Sequence, residues 1–182
     1  MVESFTGKIE RTPDDLMREA MHELPYGIYV IGSVRDGRPN GMIADWVMQV
    51  SFEPRLIAVG LERDSTTLAN LRENPTMTVN LLAEDGMPLA QGFLQPTEAS
   101  KIAGRSEHAA AQRHDKLAGI DYSVTESGCP ILDEALAFLD CEVEQFIDVG
   151  DHTLAVARVV DGEVLNSAEP LTSTITGWTY SG

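Results

Sequence analysis

The sequence has little of what several classes of protein require. No apolar run approaches the roughly 20 residues that a membrane-spanning helix needs. The first residues have neither a basic start nor an apolar stretch, so no secretory signal is expected there. Only two cysteines occur, Cys129 and Cys141, without C-x-x-C spacing. Because isolated thiols are typical of reducing compartments, we expect a cytoplasmic protein in which both cysteines are buried.

Motifs for metal and nucleotide chemistry are also missing. The sequence contains no H-E-x-x-H pair, EF-hand loop, P-loop, G-x-S-x-G turn or G-x-G-x-x-G turn. His108 and His114 are six residues apart, about 240° around a helix, so one helix could not direct both at one ion. We therefore expect no metal site, and acyl transfer, ATP hydrolysis and Rossmann-type nucleotide binding have no support.

Positive charge is scarce and unevenly placed. The formal net charge is −16, and the chain from Gly119 onward has Arg158 as its one basic residue. Such an acidic body repels nucleic acid and anionic membranes, so neither is expected as a partner. Five arginines lie near the centre of the chain: Arg35, Arg38, Arg55, Arg63 and Arg72. They could attract a small anionic ligand, or they could form a solvated face beside their acidic neighbours.

Length and patterning predict one mainly β domain of the α+β class. A chain of 182 residues with 43% apolar content can form a single core, expected at about 16–165 within a domain spanning 1–182. Helices are predicted at 13–23, 67–74 and 88–94 and within 97–117, and strands at 26–34, 43–52, 56–61, 77–82, 135–149 and 152–164. The C-terminal arm, 166–182, includes a β-prone segment at 172–180, which is predicted to be a terminal strand or an arm. Many antiparallel strands with few helices predict a closed or partly closed barrel.

The turn after the strand at 56–61 is a candidate anion site. Arg63, Ser65, Thr66 and Thr67 precede or open a predicted helix. Free N–H groups and the positive end of a helix dipole favour an anion at such a place. Considered alone, the turn is better explained by Ser65 or Thr66 serving as the N-cap of the helix.

His152 follows the predicted tight turn Gly150-Asp151. A histidine directly after a hairpin turn lies at the rim of a barrel, where ligands commonly bind. The alternative, which spacing alone favours, is a turn histidine that bonds to local backbone.

Eight segments together resemble the flavin reductase-like family, whose members adopt the FMN-binding split barrel, an antiparallel Greek-key type. They occur in the family's order over about Leu16–Val164. The segments are Leu24–Ile31, Asn40–Pro54, Arg63–Thr67, Thr78–Leu82, Lys116–Ile120, Gly128–Leu132, Leu139–Val143 and Gly150–Leu154.

The resemblance implies a homodimer that binds FMN, less often FAD, near its subunit interface and accepts hydride from NADH or NADPH. By position it assigns the isoalloxazine and ribityl contacts, largely through backbone groups, to Met42, Ile43, Ala44, Asp45, Trp46, Val50 and Ser51. It assigns the phosphate to Arg63, Ser65, Thr66 and Thr67. It places His152 near the flavin or nicotinamide, where it would position the reductant, because the flavin itself performs the redox chemistry.

Asp45 departs from the family pattern, which has a small neutral residue there, usually serine. A carboxylate beside the flavin would lower its midpoint potential through like-charge repulsion. We hypothesise that Asp45 either tunes the flavin downward or turns its side chain away.

Three functions follow from the resemblance, in this order. The first is an NAD(P)H:flavin oxidoreductase that supplies reduced flavin to a partner such as a monooxygenase, or reduces a small acceptor. The second is a flavoredoxin-like carrier that receives electrons from a protein. The third is a flavin-binding module without redox activity. Fold resemblance alone does not choose among them.

Overall fold

A seven-stranded antiparallel sheet organises the protein. The computed structural model describes residues 11–94 and 115–178. The strands are β1 (Tyr29–Arg35), β2 (Arg38–Ala44), β3 (Val47–Ser51), β4 (Leu56–Glu62), β5 (Thr76–Leu81), β6 (Tyr122–Val124), β7 (Pro130–Leu132), β8 (Ala137–Val149) and β9 (His152–Val164). The helices are α1 (Pro13–His22), α2 (Thr66–Glu73), α3 (Met87–Gly92) and α4 (Ser173–Thr176). The large sheet has the order β2-β1-β5-β8-β9-β4-β3, and β6 pairs with β7 separately.

The two edges of the large sheet are consecutive in the chain. Strands β2 and β3 lie at opposite edges, yet only Asp45 and Trp46 separate them. The sheet therefore curls until its edges meet at this link, but the edges do not pair, and the barrel stays open. The prediction of an antiparallel split barrel with a few flanking helices is confirmed.

Two hairpins follow from local turn chemistry. Asp36 and Gly37 adopt positive φ angles of 51° and 69°, which suits a two-residue hairpin turn. The predicted connection at 35–41 is consequently shorter, because pairing starts at Arg35 and Arg38. At the second hairpin, Gly150 has a φ of 53°, and β8 and β9 pair along their length as predicted.

Helix α2 packs against the barrel interior. Ser65 is its N-cap, and its hydroxyl accepts a hydrogen bond from the Leu68 N–H at 3.2 Å. Leu68 and Leu71 are buried in the main core, which also contains apolar residues of β1, β4, β5, β8 and β9. The helix therefore holds its first turn, with Thr66, in a fixed place beside the sheet.

The two terminal segments have different outcomes. Helix α1 forms as predicted, with Thr12 as its N-cap, but it has no buried residue, and Leu16 and Met17 of its apolar face are 51% and 62% exposed. At the other end, Thr172 bridges to Gly27 and the chain then turns into α4. The terminal-strand alternative is thus wrong for Ser173–Thr176, because backbone bonds close a short helical turn there.

Other predictions can be compared only within the described residues. Cys129 and Cys141 are both free and buried, as predicted. Most of the predicted helical segment at 97–117, including His108 and His114, lies outside the described residues, as do 179–182. Within 11–94 and 115–178 no helix is long and apolar enough to span a membrane. The same ranges contain no group of three or more His, Cys, Asp or Glu side chains that could hold a metal ion.

Candidate functional site

The sheet register brings two predicted site segments together. Glu62 at the end of β4 pairs with His152 at the start of β9. The turn after β4 therefore lies beside the β8–β9 turn, and the Arg63 N–H donates to the Asp151 carbonyl at 3.4 Å. Residues almost ninety positions apart in the sequence thus form one corner of the barrel.

Trp46 joins this corner from the link between the sheet edges. Its carbonyl accepts a hydrogen bond from the Gly60 N–H at 2.9 Å. Its ring lies over Gly60, where a Cβ would stand 3.0 Å from Trp46 Cε3, so a side chain at this position would crowd the indole. The indole contacts the His152 imidazole, with ring centroids 4.6 Å apart and an interplanar angle of 41°. Gly60 therefore gives the Trp46 ring the room to pack beside His152.

The neighbouring carboxylate fixes the His152 ring. His152 is buried, and its Nδ1 lies 2.7 Å from Oδ1 of the exposed Asp151. Since an ionised carboxylate only accepts, Nδ1 must carry the proton, and the neutral ring then has its lone pair on Nε2. The hydrogen bond from His152, followed by a backbone hydrogen bond, lowers the pKa of Asp151. Asp151 therefore stays ionised and orients the imidazole.

The hydroxyl groups of the predicted phosphate turn have different environments. The Ser65 hydroxyl is used as the cap of α2, so the N-cap interpretation holds for this residue. Thr67 is 2% exposed and packs into the protein. Thr66 lines a cavity that contains none of the other residues of this turn. The assignment of a phosphate to Arg63 and this turn stays a prediction.

The residues of β2 point to opposite sides of the sheet. Met42 packs against the main core with the buried Ala44, whereas Ile43 packs against a second core formed by residues of α3, β1 and β7 and their flanking loops. Such alternation is the rule in a strand. The three side chains cannot all face one ring, so the predicted flavin contacts here depend on the backbone of an edge strand.

Asp45 is only partly buried. Burial raises the pKa of its carboxyl group, and hydrogen bonds from its own backbone and that of Trp46 oppose the rise. The side chain is thus held toward the local backbone rather than extended into solvent. Asp45 therefore places a carboxyl group at the link between the two sheet edges, where a small neutral residue was expected.

Val50 and Ser51 are not brought to the same corner of this chain. Ser51 pairs with Leu56, which pairs with Arg158. Arg158 is six residues from His152 along β9, a separation of about 20 Å. Val50 is 45% exposed on the outer strand β3. The assignment of these two residues to the flavin therefore remains a prediction.

A cavity that the sequence did not reveal lies beyond α2. It has a volume of about 320 Å³. Its lining comes from Arg35, Arg38, Pro39, Asn40, Thr66, Asn70, Asp115, Lys116, Leu117 and Tyr122. The concentration of arginines near the centre of the chain was the one sequence feature that pointed to this cavity. The contribution of Lys116 could not be predicted, because it depends on tertiary contacts.

Residues 21–175 match the family described as the flavin reductase like domain. The chain belongs to the flavin reductase-like family. The prediction of the family is confirmed, and several relatives and solved neighbours of the chain are named as reductases. The roles of individual residues stay predictions.

Two curated relatives are similar to the chain over most of its length. It is 32% identical over 155 residues to a ferric-chelate reductase (NAD(P)H) of Archaeoglobus fulgidus, covering 85% of each chain. It is 31% identical over 155 residues to a high molecular weight rubredoxin of Moorella thermoacetica, covering 85% of this chain and 62% of the relative. The chain thus spans less than two thirds of that rubredoxin, and about a quarter of several relatives named as diflavin flavoproteins.

Solved structures agree with the fold. The flavin reductase PheA2 in its native state superposes with a TM-score of 0.70 at 26% identity, covering 88% of this chain and 93% of that one. Nitrilotriacetate monooxygenase component B from Mycobacterium thermoresistibile has a TM-score of 0.72 at 24% identity, with 87% and 81% covered. The open antiparallel barrel described above is therefore the family's fold.

Proposed function

We propose that the protein is an NAD(P)H-dependent flavin reductase that uses FMN, with FAD as the second choice. One observation carries the proposal: Trp46, Arg63 and His152, assigned to the flavin site from three separate segments, converge at one corner of the barrel. A relative named as an NAD(P)H-dependent reductase supports the donor class.

The residues at this corner fit a phosphate-bearing flavin. Arg63 supplies a cation, and the N-terminus of α2 supplies the positive end of a helix dipole. Trp46 and His152 offer a partly buried aromatic surface against which a flat ring can pack. The acidic residues Glu62 and Asp64 flank Arg63 in the sequence, so the ligand must engage the guanidinium directly rather than a broad positive field.

Each group has a distinct role in this proposal. FMN, when bound, supplies the two-electron chemistry and receives hydride from the nicotinamide. Arg63 and the backbone at the start of α2 hold the phosphate. Trp46 and the backbone of Met42–Asp45 position the ring. His152, fixed by Asp151, positions the nicotinamide beside it.

The homodimer is part of the proposal. Strand β3 presents Met48 and Val50 with exposures of 64% and 45%, and Phe52, directly after the strand, is 84% exposed. Apolar side chains in a row on an edge strand favour contact with a second chain. In such a dimer Val50 and Ser51 would approach the flavin of the other subunit, which reconciles their distance from His152 with their predicted role.

Steady-state assays test the function. Purified protein is mixed with excess FMN and either NADH or NADPH in air, and consumption of the nicotinamide is followed by the loss of its near-ultraviolet absorbance. We expect consumption that requires both protein and FMN and is faster with one donor. Consumption no faster than with FMN alone would contradict the proposal.

A second candidate function is electron transfer without efficient NAD(P)H oxidation. The relatives named as a high molecular weight rubredoxin and as diflavin flavoproteins favour it. A protein that retains FMN through gel filtration, does not oxidise NAD(P)H and accepts electrons from a reduced rubredoxin would support this function over the first. The final acceptor of the reductase, whether a monooxygenase, a ferric chelate or another small acceptor, would be identified by the same assay with each acceptor added.

A further inference from the structure

The cavity beyond α2 combines features that the flavin proposal does not use. It lies between the β1–β2 hairpin, the face of α2 that carries Thr66 and Asn70, and residues 115–122. Of the residues assigned to the flavin, only Thr66 lines it. Its volume of about 320 Å³ is at the lower end of the range for small-molecule sites, about 300–1,000 Å³. The space exceeds what a single small ion needs.

Three cations line this cavity in a chain of net charge −16. Arg35 forms an ion pair with Glu73. Among the residues that the structure describes, Arg38 forms no ion pair. Asp115 is the one carboxylate in the lining, and its Oδ1 accepts from the Leu117 N–H at 3.0 Å. The cavity is therefore electropositive within an acidic protein.

Lys116 is the most unusual of the three cations. Its side chain is buried, and its Nζ donates to the Phe93 carbonyl at 3.1 Å. Burial lowers its pKa from 10.5 to about 8. The charged groups that line the same cavity are Arg35, Arg38 and Asp115. An anion bound among them would favour the protonated amine and compensate for its burial.

The rest of the lining offers neutral recognition. Asn70 is 2% exposed; its amide donates to the Ser33 hydroxyl at 3.0 Å, and its Oδ1 has no hydrogen-bond partner among the described residues. Pro39, Leu117 and Tyr122 provide apolar and aromatic surface. Cations beside an aromatic ring and an amide suit a phosphate that carries a flat base.

We propose that this cavity binds the adenosine-phosphate end of a dinucleotide, separately from the flavin phosphate at Arg63. The inference rests on the proposed function for the ligand class, since both nicotinamide donors and FAD contain this group. Arg38 and Lys116 pair with the phosphate, and Tyr122 packs against the adenine. The dinucleotide then spans the first turn of α2, because Thr66 lies on the cavity side and Arg63 precedes the same helix.

The first test uses AMP, which contains the adenosine-phosphate group but cannot undergo the redox reaction. Calorimetric titration of the flavin-free protein should show AMP binding more tightly than inorganic phosphate. Arg38→Ala should weaken AMP binding by about tenfold or more, the effect of losing a charge-assisted hydrogen bond. Arg55→Ala, which removes the same charge from an exposed turn outside the cavity, should change it less than twofold.

Two results would overturn the inference. One is an absence of AMP binding by the unmodified protein, and the other is an equal loss in the Arg38→Ala and Arg55→Ala variants, which would indicate attraction by net charge alone. A parallel loss of FMN affinity in Arg38→Ala would also overturn it, since the cavity would then belong to the FMN site.

Further titrations identify the source of the adenosine group. If it comes from FAD, Arg38→Ala should weaken FAD binding and leave FMN binding within twofold. If it comes from the nicotinamide donor, the variant should raise KM for NADH or NADPH about tenfold with FMN as the flavin, with kcat little changed. Because AMP binding needs no electron transfer, a protein that binds AMP in the cavity but never oxidises NAD(P)H would refute the proposed function and keep this inference.

Discussion

Two cationic regions of the protein differ in how their charges are surrounded. At the Arg63 corner, Glu62 and Asp64 flank the arginine in the sequence, and the Arg63 N–H donates to the Asp151 carbonyl. Arg63 itself is exposed. In the cavity beyond α2, Lys116 is buried and contacts a carbonyl rather than a carboxylate. Similar residue types thus lie in opposite settings in two regions that both adjoin α2.

The number of charged residues in a region therefore does not show how strongly that region binds an anion. A solvated arginine with acidic neighbours interacts weakly until a ligand reaches it directly, because water and salt screen its field. A buried amine pays a desolvation cost before any ligand arrives, and a bound anion removes part of that cost. Anion binding at the Arg63 corner therefore depends on direct contact with the guanidinium. Anion binding in the cavity depends on how far the anion compensates the buried charge of Lys116.

Replacing Lys116 should produce the largest effect on stability. Its folded pKa of about 8 lies below the unfolded 10.5, so the unfolded state binds more protons between these values. Lys116 should therefore contribute a rise of about 3 kcal/mol to the free energy of unfolding as pH increases from 8 to 10.5, whereas Cys129 and Cys141, whose pKa values burial raises, act in the opposite direction. Lys116→Met should remove this rise, as measured by urea unfolding at several pH values.

A control separates this effect from general alkaline titration. Arg55→Ala should show the same pH dependence as the unmodified protein, because its side chain is exposed. If Lys116→Met kept the full rise between pH 8 and 10.5, the ammonium would not be desolvated, and the contrast between the two regions would fail.

Replacing Arg63 tests the other side of the comparison. Arg63→Ala should raise the Kd for FMN by about 10- to 100-fold, since a charge-assisted hydrogen bond to phosphate contributes about 1.5–3 kcal/mol. Riboflavin, which lacks the phosphate, should lose little affinity. The measurement is quenching of flavin fluorescence, and an FMN Kd within twofold of the unmodified value would place the phosphate elsewhere.

The Trp46–His152 contact should matter to the reaction more than to flavin affinity. His152→Phe keeps a ring beside Trp46 but removes both nitrogen atoms, so we expect the rate of flavin reduction to fall about tenfold with little change in the FMN Kd. Stopped-flow absorbance measures the rate. An unchanged rate in His152→Phe together with a loss in His152→Ala would assign the residue a packing role only.

Asp45 should have the smallest effect. Burial raises its folded pKa, so its contribution to stability is present below the unfolded pKa of about 3.8 and is lost as pH rises through the folded value. Asp45→Asn should therefore raise the melting temperature at pH 7. The gain in the free energy of unfolding should be less than about 1 kcal/mol, because the group is partly solvated. The difference should vanish near pH 3.

The same residue tests the electrostatic effect on the flavin. If the carboxylate faces the ring, Asp45→Ser should raise the midpoint potential in a spectroelectrochemical titration. An unchanged potential would show that the side chain turns toward its own backbone, as the hydrogen bonds around it indicate.

Local signals predicted much of the fold. The β8–β9 hairpin follows from Gly150-Asp151 between two long β-prone runs, and the start of α2 follows from Ser65. The exposed face of α1 could not be predicted, because an amphipathic pattern shows which side is apolar but not whether anything packs against it. Segment 172–180 misled for a similar reason: β-branched residues favour strands, but among its described residues, 172–178, only Thr172 forms a bridge.

The site was predictable only where resemblance supplied long-range information. The ordered segments identified Trp46, Arg63 and His152, and the fold brings them together. No local pattern indicates that the Trp46 and His152 rings touch, since that contact depends on the absence of a side chain at Gly60. The cavity was missed because it unites residues near positions 35, 66 and 116, whose proximity no local pattern encodes.

The most direct test of the central claim is an anaerobic single-turnover experiment. FMN-loaded protein is mixed with NADH and, separately, with NADPH, while the visible absorbance of the flavin is followed. We predict that at least one donor rapidly bleaches the flavin absorbance and that the bleaching is slower in His152→Phe. A stable yellow protein that resists both donors would contradict the reductase proposal and favour the electron-transfer alternative.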